Sequence, residues 1–310
     1  MLSILIPIFN FDIRPLVADL HGQCEALGIG YEIVCFDDGS TAEFKAMNQK
    51  IWKLPNVIYQ EMPQNLGRSA IRNALGKAAR FDYLLFMDCD SKVVSPDFIE
   101  KYLEAIALGG RSKLPPNSNA AGFLVYGGRC YSDLPPHDKS LFFHWHYGKN
   151  REQTTAAERS RSPYHGFMTN NFLISKQTFL GILFDETLRQ YGHEDTLFGM
   201  ELKKRNVPII HIDNPLEHIG LETVEVFLKK TTQGIENLFA LRAAKKPIET
   251  RLLNTYESCK RWGLTKVIER LRPLFYWLII KDLMLNGLLL LLFDGYKLAT
   301  LCRIVHAKPE

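Results

Sequence analysis

Phe81-Asp82-Tyr83-Leu84-Leu85-Phe86-Met87-Asp88-Cys89-Asp90 is an apolar run of strand length that ends on two carboxylates one residue apart. Its aromatic and aliphatic content reads as a strand buried on both faces, which puts the acidic pair at the strand's carboxyl end. In an open α/β sheet that end faces the ligand crevice, and two carboxylates so spaced can hold a divalent cation against a diphosphate. The plainer reading is a solvated turn, and the pair alone does not choose between them.

Working back from it, Leu2-Ser3-Ile4-Leu5-Ile6-Pro7-Ile8 has no basic flank and meets Pro7, Asn10 and Asp12 early, so it reads as a first buried strand and not a signal peptide. A helical segment from about Arg14 to Leu27 leads to a second strand, Tyr31 to Phe36, which runs into Asp37-Asp38-Gly39-Ser40-Thr41. Strand, helix, strand is the start of a doubly wound α/β sheet. Asp38 and Ser40 then lie at a strand end, where a carboxylate can accept a hydrogen bond from a ring N–H; a turn with a helix cap fits equally. After a helical segment around Ala42 to Leu54 and a short strand at Val57-Ile58-Tyr59, the Asn65-Leu66-Gly67 turn opens a helix. Arg68 and Arg72 fall on one face of that helix, a pair suited to an anionic ligand.

Ile6-Pro7-Ile8-Phe9-Asn10, Asp37-Asp38-Gly39-Ser40, Asn65-Leu66-Gly67 with Arg72-Asn73, and Asp88-Cys89-Asp90, in that order, resemble the nucleotide-binding half of family 2 glycosyltransferases. The resemblance implies the GT-A fold, a mixed, mostly parallel sheet flanked by helices, and inverting transfer of a sugar from a nucleotide-diphosphate donor, UDP-linked, to an acceptor hydroxyl. It implies that Pro7, Phe9 and Asp38 contact the nucleobase, that Asp90 is the direct metal ligand, and that Asp88 sits on the ribose or sugar.

Further along, Tyr191-Gly192-His193-Glu194-Asp195 puts two acidic residues at a helix head, a favourable charge arrangement in itself. In the family resemblance this is the position of the catalytic base: Asp195 is expected to deprotonate the acceptor and Glu194 to orient it, since a sugar hydroxyl needs somewhere to send its proton. Two positions depart from the family pattern, Leu183 before Phe184-Asp185-Glu186 and His193, where Gly is usual in both. Members of the fold often close the metal site with a His just over twenty residues on. His218 fits that spacing where His211 comes too early, although a lone loop His is an equal reading. Asp88, Asp90 and His218 together suit Mn²⁺ or Mg²⁺ better than Zn²⁺.

The 310 residues, 46% hydrophobic and 23% charged, exclude disorder, and six cysteines without a C-x-x-C pair fit reduced thiols in a cytoplasm and neither a zinc site nor a disulfide framework. A domain division at 1–222 (nucleotide half 1–92, acceptor half 93–222) and a helical extension 223–310 is expected. Residues 241–310 hold 13 Lys/Arg against 6 Asp/Glu, +7, whereas the rest is −3. Leu274 to Phe293 adds a leucine-rich and aromatic stretch interrupted by Lys281-Asp282, too charged to read as transmembrane. It reads either as an interfacial helix on an anionic membrane or as core or dimer interface. Arg111 to Ala120 reads as a polar loop. Leu141 to Arg161, aromatic and basic, reads as an acceptor-contacting segment or an amphipathic surface face. The partners expected are a nucleotide-sugar donor and a glycan or lipid-linked glycan of the cell envelope, with no nucleic acid, for a cytoplasmic protein peripheral to the inner face of the membrane. Two other classes compete. A nucleotidyltransferase would show a Gly-rich basic loop after the first strand, which Pro7-Ile8-Phe9-Asn10 is not. A non-catalytic sugar-nucleotide-binding or scaffold protein would tolerate loss of Asp90 or Asp195, and both are present.

Overall fold

The first strand has no exposed face: its even-numbered residues Leu2, Ile4, Ile6 and Ile8 enter one buried cluster and Leu5 enters another. That two-sided burial makes it a central strand with helices on both sides. A computed structural model describes residues 1–108, 122–187, 192–246, 248, 250–281 and 288–307. The expected polar loop at 111–120, Tyr191, and positions 282–287 of the apolar stretch lie outside these residues.

In chain order the elements begin β1 (Leu2–Ile8), α1 (Arg14–Leu27), β2 (Tyr31–Asp37), α2 (Ala42–Asn48), β3 (Val57–Glu61), α3 (Arg68–Ala78), β4 (Tyr83–Met87), β5 (Ser91–Val93) and α4 (Phe98–Ala107). They continue with β6 (Leu124–Tyr126), β7 (Arg129–Cys130), α5 (Phe142–Tyr147), α6 (Ala156–Ser160), β8 (Asn171–Ser175), α7 (Lys176–Ile182), α8 (Glu194–Lys204), β9 (Ile209–His211) and β10 (Leu216–His218). Helices α9 (Val224–Ala243), α10 (Arg251–Arg261), α11 (Thr265–Arg270), α12 (Arg272–Ile280) and α13 (Leu289–Ala307) follow.

The chain forms two compact units, one of residues 1–134, 148–189 and 194–220, the other of 135–147, 190–193 and 221–310. The first holds a seven-stranded sheet in the order β3-β2-β1-β4-β8-β6-β9, parallel except that β8 runs antiparallel to both neighbours. One face is covered by α1 and α4 through Leu16, Val17, Leu20 and Tyr102, the other by α3, α7 and α8 through Ile71, Leu75, Phe179, Phe198 and Leu202. A second sheet, β5-β10-β7, lies in the same unit, with β10 antiparallel to β5 and parallel to β7.

The second unit is helical and has two cores. Phe143 of α5 joins Leu228, Ile279, Leu289, Phe293 and Tyr296, while Ile235, Leu238, Leu253, Tyr256, Leu301 and Cys302 form the other. The apolar stretch at the chain's end is therefore divided. Ile279, Leu289 and Phe293 are core, but Leu274, Tyr276, Trp277 and Leu291 are exposed. Among the described residues no helix is long and apolar enough to cross a membrane.

Candidate active site

Four strand ends of the first unit supply the site. Behind β1, Phe9 is left 53% exposed, a flat apolar surface at the sheet's carboxyl edge, with Pro7 at the end of the strand. Asn10 takes a left-handed backbone and locks to the next loop: its N–H donates to Ser40 Oγ at 2.8 Å and its Oδ1 accepts from Thr41 N at 2.8 Å. Behind β2, the Asp38 carboxylate accepts the backbone N–H groups of Leu66 at 2.6 Å and Gly67 at 3.0 Å, and its carbonyl accepts Asn65 Nδ2. Asp38 thus fixes the turn that starts α3, and a carboxylate still has lone pairs to spare for a ligand. Burial raises its pKa, against the pull of those two N–H groups. Gly39 and Gly67 both have φ near +84°, where only glycine is unstrained, so the two facing turns can approach each other.

Helix α3 sends Arg72 inward, almost fully buried. Its Nη2 donates to Asp88 Oδ1 at 2.6 Å, and its guanidinium lies over the Phe184 ring. Asp88 also faces Arg129 at 3.5 Å, and Arg129 reaches Glu152 at 3.0 Å, whose other partner is the Tyr131 hydroxyl. Buried charges last only when paired, and here guanidinium and carboxylate alternate from Arg72 to Glu152. Burial would raise the Glu152 pKa, but Arg129, the Tyr131 hydroxyl and His218 together outweigh it and bring the group below its ordinary value.

Asp90 lies one residue ahead of β5, and the antiparallel register pairs Ser91 with His218. The small sheet therefore sets His218 beside Asp90, Nδ1 to Oδ1 at 3.5 Å. That is too long for a good hydrogen bond, and Asp90 Oδ1 is buried without one. Burial pushes the Asp90 carboxyl up, but His218, Arg129 and Arg68 more than offset it and hold the group well below the usual range. One carboxylate oxygen and one imidazole nitrogen so placed fit a shared hard cation. Among the described residues no cluster of three or more His, Cys, Asp or Glu could hold a metal ion. Two protein ligands completed by substrate phosphates is the ordinary way Mg²⁺-type ions bind, so the residues fit a cation that comes with a diphosphate. Asp88 is engaged by guanidiniums and His211 lies elsewhere: Arg159 Nε donates to its Nδ1 at 3.2 Å, so its Nε2–H donates to Pro163 O. Burial pulls the His211 pKa to about 4, a neutral structural imidazole.

At the head of α8 the two carboxylates differ. Glu194 is buried with Arg68 at 3.3 Å; burial would raise its pKa, but the Arg68 and Arg72 charges bring it below the ordinary value. Asp195 is raised to about 6 by burial and by the Glu194 charge, against hydrogen bonds from Thr196 N at 2.6 Å and from its hydroxyl. Neighbouring carboxyls whose environments push their pKa values apart are the usual sign of an acid–base pair.

Sequence reasoning left out Arg129, Glu152, Tyr131 and the Asn170-Asn171 pair. Asn170 accepts the Asp88 N–H on its carbonyl, and Asn171 Nδ2 donates to Gly128 O and Asn214 O, which ties β8 to the residue just ahead of Arg129 and β7. Nothing in their local spacing sets them apart. Of the basic residues in 141–161, Arg159 is structural: it donates to Gly127 O, Ile212 O and Thr154 O, with its guanidinium over Tyr126.

Residues 3–112 match the family model described as glycosyl transferase family 2. A chondroitin synthase of Escherichia coli is 24% identical over 223 residues, 65% of this chain and 32% of that protein. The chain spans about a third or less of the length of the curated relatives it matches. Among solved structures, S. aureus TarS 1–349 in complex with UDP aligns with TM-score 0.52 at 16% identity, over 100% of this chain and 92% of that one. The mannosyltransferase PcManGT of Pyrobaculum calidifontis, in complex with GDP-Man and Mn²⁺, aligns with TM-score 0.53 at 11% identity, over 99% and 74%. These likenesses show the GT-A fold, and over residues 3–112 the chain is similar to glycosyl transferase family 2.

Proposed function

We propose that this chain moves a sugar from a UDP-linked donor to an acceptor hydroxyl, with inversion and with Mn²⁺ or Mg²⁺, in the synthesis of a cell-envelope polysaccharide. The observation that carries the reading is the pair at the head of α8, Glu194 held ionised and Asp195 raised to about 6, in the same unit as the Asp88 and Asp90 strand end. The UDP bound in TarS 1–349 and the similarity to a chondroitin synthase support the donor and product class.

In this mechanism Pro7 and Phe9 form the floor for the nucleobase and Asp38 accepts from its ring N–H. Arg72 and Arg129 fix the Asp88 carboxylate so that it can accept from ribose or sugar hydroxyls. Asp90 and His218 would hold the cation, which when bound would offset charge on the leaving diphosphate. Asp195 takes the acceptor's proton as the acceptor oxygen bonds to the anomeric carbon. The bond from that carbon to the diphosphate oxygen breaks with its electron pair on the leaving group. Glu194, pinned by Arg68, orients the acceptor. One in-line displacement inverts the anomeric centre.

The reading divides the chain into a GT-A domain, 1–222, and a helical extension, 223–310. It places the protein at the cytoplasmic face of an anionic membrane, with a lipid-linked glycan as acceptor. Exposed Trp262, Leu274 and Trp277 beside basic residues support that placement.

A panel of UDP-sugars assayed for hydrolysis and transfer with Mn²⁺, and again in excess EDTA, tests the function. Turnover with one sugar, abolished by EDTA and by Asp90→Ala with the fold intact, is expected. Binding of UDP without turnover of any donor would favour the non-catalytic sugar-nucleotide-binding alternative.

A further inference from the structure

We propose that the helical unit holds an anion site of its own, a cavity of about 440 Å³ that binds a phosphate group. Lys266 and Arg270 of α11, Arg272 of α12, and Arg303 and His306 of α13 line it, with Glu269 as its carboxylate. The volume falls within the range of small-ligand pockets and leaves room for a diphosphate or for a phosphate with its substituent.

The charges in this cavity are unbalanced. Glu269 is taken by His306, Nδ1 to Oε2 at 2.5 Å. Among the described residues, the side chains of Lys266, Arg270 and Arg303 have neither a carboxylate nor a hydrogen-bond partner. Arg270 and His306 lie in the last turns of their helices, where the helix dipole favours a cation. That preference explains single cations at helix ends, but not why α11, α12 and α13 direct four permanent cations around one concavity, where they repel each other.

Arg272 is also held in place before any ligand arrives. Its Nε donates to Thr300 Oγ1 at 3.1 Å, its Nη2 donates to the Tyr296 hydroxyl at 3.2 Å, and its guanidinium lies over the Tyr296 ring. Nη1 is left without a partner among the described residues. A guanidinium whose rotamer is fixed by neighbours loses little freedom on binding, and its fork matches phosphate oxygens. The phosphate can belong to a soluble or polymeric ligand or to a lipid headgroup, because the cavity reads the same oxygens in each.

Inorganic pyrophosphate titrated calorimetrically into the intact chain in EDTA tests the site. The heat is expected to fall with added salt, and affinity is expected to drop at least tenfold in Arg270→Ala/Arg303→Ala while donor hydrolysis and melting stay unchanged. Arg270→Lys/Arg303→Lys, which keeps the charge, is expected to retain most of the affinity, and it serves as the comparison if the alanine variant fails to fold. No pyrophosphate binding by the wild type, or equal affinity in wild type and alanine variant, overturns the proposal. Vesicles of phosphatidylglycerol in phosphatidylcholine then identify the source. Cosedimentation that pyrophosphate reverses and the alanine variant lacks assigns the site to a lipid headgroup, and pyrophosphate binding without cosedimentation assigns it to a soluble or polymeric phosphate.

Discussion

Asp195 and Glu194 are adjacent in the chain, yet among the described residues only Glu194 has an arginine within ion-pair distance. Because Asp195 titrates near 6, it is ionised at neutral pH and still close enough in basicity to accept a hydroxyl proton. The sign follows: a base must be unprotonated, so kcat/KM is expected to be level above pH 6 and to fall about tenfold per pH unit below it. Asp195→Asn is expected to lower kcat by about 10²–10⁴ and to leave UDP affinity unchanged, which calorimetry alongside single-turnover kinetics would check. Near-normal turnover in that variant would move the role to Glu194. The two departures from the family pattern also have a residue-scale explanation. Leu183 has φ 57° with ψ 158°, and His193 has φ 72°. Gly suits such positions because a side chain there strains the backbone by roughly 1–3 kcal/mol, and this chain bears that strain at Leu183 and at His193.

Element pairings, more than single residues, assemble the site. The β5–β10 pairing brings His218 to Asp90, and Gly220 lies two residues beyond His218. A Cβ on Gly220 would lie 2.6 Å from Asp90 Oδ2 and 2.7 Å from Asp90 Cβ. Gly220→Ala is therefore expected to turn Asp90 away from His218 and to weaken Mn²⁺-dependent turnover with little change in melting temperature; a manganese titration of activity reads this directly. The β7–β10 pairing places Arg129 between Asp88 and Glu152. Arg129→Leu leaves the mostly buried Glu152 without its guanidinium, while Asp88 keeps Arg72, and a loss of up to about 3 kcal/mol is expected by denaturant melting. Glu152→Gln on that background should recover part of it. These pairings also explain what the sequence discloses. β1, β2 and β4 are continuous apolar runs that end on turn or acidic residues, so their local pattern reveals both the strands and the acidic ends. β5, β7 and β10 are two or three residues long, with no periodicity to read, and Arg129 and Glu152 meet only through contacts distant in sequence. The four ordered motifs lie within residues 6–90, where strand and turn chemistry are local. Spacing from Glu194-Asp195 in the family resemblance is what singles out His218 as a candidate ligand, because β10 is three residues long and carries no pattern of its own.

At the scale of the whole chain, the helical unit is built from two separated stretches, 135–147 and the residues from 221 onward, together with 190–193. Helix α5, in the earlier stretch, has no core of its own. Phe143 is 5% exposed, and its ring meets Phe227 at 5.5 Å and Phe293 at 5.3 Å, while Tyr147 meets the same two rings at 5.3 and 5.2 Å. His144 Nδ1 accepts the Glu222 N–H at 3.0 Å. A fragment ending at residue 222 keeps the whole seven-stranded sheet and every proposed catalytic group, but it strands α5 without Phe227 and Phe293. Uncovering a buried aromatic side chain forfeits about 1.5–3 kcal/mol of burial and leaves an apolar patch that favours association. The fragment 1–222 is expected to aggregate, whereas the same fragment with 135–147 replaced by a short Gly/Ser linker is expected to stay soluble and to bind UDP as the full chain does. Soluble yield, sedimentation and UDP calorimetry on the two fragments decide it. If the unmodified fragment is monodisperse and binds UDP, α5 does not need the later helices, and the two stretches do not fold as one unit. If the linker version is soluble but does not bind UDP, the first unit by itself does not suffice for donor binding.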